Sequence, residues 1–145
     1  MAQALLRLTR RAVLTHFKAN SGVSALIGSR FYGQVAPDPV TWPFAKLGAV
    51  SSTPLQASCV DGAEYRITVH AFAKARLNAG GGMVETAEDH CSRIAEAIEV
   101  AGDRSKLAIT GGFVSLSLLG TQIMVDGGEA DAFHAVIDFR GRVLA

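Results

Sequence analysis

The run Glu64-Tyr65-Arg66-Ile67-Thr68-Val69-His70-Ala71-Phe72-Ala73-Lys74 limits the fold more than any other stretch of the chain. Tyr65, Ile67, Val69 and Ala71 fall on one side of an extended backbone. Arg66, Thr68, His70 and Phe72 fall on the other. Period-two alternation of β-branched and aromatic residues is the signature of a strand. The run is therefore read as a central strand of a half-buried antiparallel sheet. None of its residues has the look of a catalytic group, so it speaks to architecture rather than chemistry.

The flanking segments supply the other elements. Residues 2–19 read as a helix, because Leu6, Val13 and Phe17 share a face with Leu5, Thr9 and Ala12 beside it. A short turn follows, capped at Ser21 and ending at Gly28. Residues 29–43 are rich in turn formers, with a short strand near Phe31-Tyr32. Phe44 to Val50 reads as a strand, with Pro43 acceptable at its start. Residues 51–63 and 75–82 read as long, mobile connections. A helix is expected from Met83 to Ala101, where Val84, Ala87, Cys91, Ile94 and Ile98 step by three and four, with Gly102 as its cap. Strands are expected at Phe113–Leu119, Gln122–Val125 and Ala132–Phe139, with a turn at Asp126-Gly127-Gly128. The order is αββαββ. It predicts an α+β domain, an antiparallel sheet with two main helices packed on one face.

A chain of 145 residues is expected to form one domain over 1–145. Its net charge of +1 excludes a general nucleic-acid binder held by a basic face. No apolar run approaches the ~20 residues that span a bilayer, and the N-terminus lacks the apolar core of a signal peptide. A soluble, intracellular protein is expected. Cys59 and Cys91 form no Cys-x-x-Cys pair; two buried free thiols are the first reading and a disulfide the second.

Chemical motifs are scarce. Gly80-Gly81-Gly82 lies between a strand and a helix, where phosphate loops occur, but Met83-Val84-Glu85 follows instead of Lys and Ser or Thr. It reads as a flexible linker. His90 and Cys91 are adjacent and so point about 100° apart on a helix, too far to serve one metal. Cys91 belongs to the apolar stripe. His70 and His134 converge if their strands pair, yet two histidines without a third ligand make a weak zinc case. No cofactor and no catalytic or metal residues are expected. The competing reading is a small enzyme or ligand-binding domain with a site near His70 and His134.

Charge is distributed unevenly. Residues 1–37 hold no acid, while Arg7, Arg10, Arg11, Lys18 and Arg30 are basic. Residues 83–103 hold Glu85, Glu88, Asp89, Glu96, Glu99 and Asp103 against Arg93 alone. The two helices either attract each other within one molecule or form complementary surfaces on neighbouring subunits. On the second reading Arg7, Arg10, Arg11, Glu85, Glu88 and Glu96 are subunit-interface candidates.

Several segments together resemble a known family: Gly28-Ser29-Arg30-Phe31-Tyr32, Ala36-Pro37, Trp42-Pro43-Phe44, the strand Glu64–Phe72, Ile94-Ala95-Glu96-Ala97-Ile98 and Val136-Ile137-Asp138-Phe139-Arg140. The chain is similar to the tail completion proteins of long-tailed bacteriophages and gene transfer agents, which include the tail terminators. The resemblance implies a fold like that of tail tube subunits and a structural role. Such proteins form a ring, commonly a hexamer, that caps the tail tube and stops its polymerisation. The implied partners are further copies of the chain, the tail tube protein and the head connector or stopper. No membrane and no sequence-specific nucleic acid are implied, although DNA can pass through the ring. The implied location is the host cytoplasm during assembly, then the head–tail junction of the particle.

Overall fold

A computed structural model describes residues 2–57, 60–128 and 131–144. The elements are helix α1 (Ala2–Ala19), helix α2 (Ser21–Ile27), strands β1 (Phe31–Tyr32), β2 (Phe44–Ala57), β3 (Val60–Lys74), β4 (Arg76–Leu77) and β5 (Met83–Glu85), helix α3 (Ala87–Gly102), and strands β6 (Lys106–Ile109), β7 (Gly112–Val125) and β8 (Ala132–Leu144). Six strands form one sheet in the order β1-β2-β3-β8-β7-β6, and β4 and β5 form a separate two-stranded ribbon. All pairings are antiparallel except β1 with β2. The fold is α+β, as the sequence implies.

Strand β3 takes the central place because both its neighbours run along most of its length. Its two faces differ as the alternation requires. Ala63, Tyr65, Ile67, Val69, Ala71 and Ala73 are buried. Across the ladder they meet Gly141, Phe139, Ile137 and Ala135 of β8, on the same face. Helices α1 and α3 pack on this face. Helix α1 also touches β2 near one edge of the sheet and β6 at the other, so the sheet curls around it.

The helices bury the stripes that their spacing requires. Thr9, Val13 and Phe17 of α1 are fully buried, each one turn from the next. Phe17 stacks on Phe31 at 5.3 Å between ring centroids and lies 5.7 Å from Phe139. Burying an aromatic side chain of this kind contributes ~1.5–3 kcal/mol. Helix α3 buries Cys91, Ile94, Ala95 and Ile98. Its last turn comes so close to the sheet that a Cβ on Gly102 would lie 2.5 Å from the Phe139 ring and 3.0 Å from Phe17. Gly102 is thus a residue of close packing, and Asp103, not Gly102, is the helix cap.

Several sequence expectations need correction. Residues 51–57 continue β2 rather than forming a loop, and β3 begins at Val60, so the two strands make one long hairpin. Pairing with β3 supplies its hydrogen bonds, while its side chains from Ser51 to Pro54 are exposed and leave no alternating pattern. Residues 75–82 are not a linker: they hold β4 and the turn of the ribbon. Helix α3 starts at Ala87, not Met83. Thr86 is its N-cap and accepts a hydrogen bond from the Asp89 backbone N–H at 3.1 Å. The short helix α2 is capped by Asn20, not Ser21. The two short strands expected within 113–125 are a single strand, β7, with an irregular register between Leu118 and Gly120. Cys59 lies outside the described residues; Cys91 is a buried free thiol.

Candidate functional site

Strands β3 and β8 do bring His70 and His134 together. His70 Nδ1 and His134 Nε2 are 2.7 Å apart, and the rings are 4.9 Å between centroids. Phe72 stacks on His134 at 4.3 Å and on Phe44 at 4.7 Å, and Trp42 packs its edge on Phe44 at 5.2 Å. These rings form a ladder on the face of the sheet opposite the main helices. Lys74 lies over Trp42 at 4.7 Å and Lys46 over Phe72 at 5.7 Å. Gly48 makes room for the His70 ring, since a Cβ there would collide with Nε2.

Burial pushes the pKa of His70 down, and the neighbouring charges of His134 and Lys46 add to that against the pull of Asp138. Burial also lowers His134, with Lys46 acting the same way and Asp126 opposing. Two imidazoles at this separation share one proton between them, one donating and the other accepting. No group of three or more His, Cys, Asp or Glu is placed to hold a metal among the described residues.

The other titratable candidates act as fasteners. The His16 ring meets the Ala101 carbonyl at 2.7 Å and ties α1 to the end of α3. The His90 ring meets the Lys74 carbonyl at 2.8 Å and ties the start of α3 to the end of β3. Burial pushes the Cys91 thiol up to about 11, which suits a core residue and not a nucleophile. In the Gly80–Gly82 turn, Asn78 Oδ1 accepts from the backbone N–H of Gly80 at 3.0 Å and of Gly82 at 2.9 Å. Those amides already have a partner, so they do not form an empty anion cradle.

The charged interface candidates separate into two kinds. Arg7, Arg10 and Arg11 are exposed on α1, and Glu88 and Glu96 are exposed on α3. None of these five makes an ion pair among the described residues. Glu85 is different. Its carboxylate accepts from Arg93 Nε at 2.9 Å and Nη2 at 2.8 Å, and from Arg76 Nη1 at 3.2 Å. The Arg93 hydrogen bonds, with Arg76 adding to them, hold it at about 2. Its charge is largely answered within the subunit, where it clamps the β4–β5 ribbon to α3.

Sequence reading missed the exposed apolar surface of that ribbon. Leu77, Met83 and Val84 are 62%, 64% and 56% exposed. It also missed the groove between α1 and edge strand β6, a cavity of about 750 Å³. The signal for the ribbon was present: Thr86-Ala87-Glu88-Asp89 has capping-box spacing, which starts the helix after Met83–Glu85.

The family model described as tail completion protein gp17 matches residues 11–144. A chain in a structure described as the virion of a native gene transfer agent (GTA) particle has a similar fold. Its TM-score is 0.78 at 20% sequence identity, over 98% of each chain. No curated protein gives a significant match.

Proposed function

This chain belongs to the tail completion protein family, and from that membership we propose that it forms a closed ring, a hexamer, that caps a finished tail tube. It is a structural tail protein. In the proposed role the ring stops the tube from growing and offers its other side to the head connector or stopper. It assembles in the host cytoplasm and ends at the head–tail junction of the particle. No catalysis is assigned to it: the His70–His134 pair lies within an aromatic ladder with no third ligand among the described residues, and the Cys91 thiol is buried and of high pKa.

The family match across residues 11–144 carries this reading. The exposed opposite charges of Arg7, Arg10 and Arg11 on α1 and Glu88 and Glu96 on α3 support the assembly part, because complementary surfaces steer association and fix orientation. The test is direct. Purified protein is added to tail tube protein while tubes are growing, and tube lengths are read by negative-stain electron microscopy. Short tubes with a ring at one end are expected. Unchanged tube lengths and bare ends would contradict the proposed role.

A further inference from the structure

Two surfaces of the subunit carry matching chemistry, exposed apolar side chains beside charges of opposite sign. The first is the β4–β5 ribbon. Its turn is fixed by Asn78 and its base by the Glu85–Arg93 and Glu85–Arg76 pairs, so it is a braced projection. Yet it carries Leu77, Met83 and Val84 more than half exposed. Leu77 and Met83 are partners across the ribbon, so two large apolar side chains stand together on a braced projection, with Val84 exposed next to them in the chain. Directly after it, Glu88 and Asp89 stand exposed in the first turn of α3.

The second surface is the α1–β6 groove. Leu8, Ala12 and Ile109 supply apolar lining, and Arg11 and Lys106 supply positive charge. Strand β6 is the last strand of the sheet and pairs with β7 on one side only. Proteins normally cover such an edge. The ribbon offers apolar side chains beside two acids; the groove offers an apolar floor beside two cations, with Lys106 already resting over Phe113 at 4.7 Å.

We propose that the β4–β5 ribbon of one copy seats in the α1–β6 groove of the next copy, with Glu88 and Asp89 facing Arg11 and Lys106. This deepens the ring reading and rests on it. The two surfaces differ, so the contact is heterologous and repeats head to tail, as a ring requires. Apolar burial supplies the affinity, and the charges set the orientation.

A cysteine cross-link tests it. Val84→Cys and Ala108→Cys are made in separate chains on a Cys59→Ser background; Cys91 stays, being buried and of high pKa. The two proteins are mixed and oxidised, with the assembled mass measured in parallel. The expected result is a covalent dimer of one variant with the other, and no dimer of either variant alone. A second variant, Met83→Asp, should weaken assembly on the order of tenfold or more with the amide exchange of β3 unchanged. A ring of full mass with no mixed cross-link would overturn this contact while leaving the ring reading intact. Dimers of Val84→Cys with itself, or of Ala108→Cys with itself, would also overturn it. A chain that stays monomeric would remove both the contact and the ring.

Discussion

Gly102 lies so near Phe139 that a single added carbon would come within 2.5 Å of the ring. The last turn of α3 is thereby fixed against β8, and Phe17 of α1 closes the same point from the other side at 3.0 Å. Three elements meet at one glycine. Gly102→Ala should therefore destabilise the fold by ~1–3 kcal/mol, the range for overpacking a tight core. Helix propensity alone favours alanine by about 1 kcal/mol, so chemical denaturation that shows stabilisation would refute the packing argument.

A second prediction concerns Thr9 and Tyr65. Their hydroxyls are buried and make no well-formed hydrogen bond among the described residues. Burial raises the Tyr65 pKa, with the nearby Thr9 hydroxyl pulling slightly the other way. Replacing both partners of a poorly satisfied buried pair by apolar groups of the same shape can be neutral or stabilising. The double variant Thr9→Val/Tyr65→Phe should keep or raise the melting temperature. A fall of several degrees would mean that the hydroxyls have partners of real value.

The histidine pair gives a pH dependence. Both imidazoles titrate below their ordinary value of 6.5, burial being the main cause. Between the folded-state values and 6.5 the unfolded chain binds more protons than the folded one. Stability therefore rises with pH through that window and is lost on acidification below 6.5. Replacing His134 by Gln should flatten the slope of stability against pH just below 6.5. An unchanged slope would place the titration elsewhere.

Glu85 has the opposite sign. Its folded-state value of about 2 lies below the ordinary 4.5. Its contribution is present above 4.5 and disappears as pH falls from 4.5 towards 2. Glu85→Gln should raise amide exchange in the β4–β5 ribbon at neutral pH and leave β3 unaffected. Equal protection in parent and variant would show that Asn78 alone holds the ribbon.

The legible parts of the sequence were those with a local period. Strand β3 shows because one of its faces is packed by helices, so burial alternates with sequence. The stripes of α1 and α3 show for the same reason. The outer half of β2 does not, because Ser51 to Pro54 are exposed side by side and only hydrogen bonding to β3 makes them a strand. Strands β5 and β6 are too short for a period. At the candidate interface, the charges of Arg7, Arg10, Arg11, Glu88 and Glu96 were readable as composition. The engagement of Glu85 with Arg76 and Arg93 was not, since it depends on where the ribbon folds back on α3. The α1–β6 groove joins residues ~100 apart in sequence, a separation that no local pattern reports.

The steering charges make a further prediction. Arg7→Glu/Arg11→Glu should slow assembly at low ionic strength, and reversal at Glu88 and Glu96 should partly restore the rate. The effect should fade above ~0.1 M salt, where charges are screened over about 10 Å. Exposed pairs contribute only ~0–1 kcal/mol each, so the final amount of ring should change less than its rate of formation. A parent-like rate at low salt would make these charges solvated faces.

The central claim is closed self-assembly, and the mass of the purified protein in solution tests it most directly. Native mass spectrometry across a concentration series should give one oligomer of fixed copy number, a hexamer, that grows no further as concentration rises. A monomer at every concentration, or open filaments that lengthen with concentration, would contradict it.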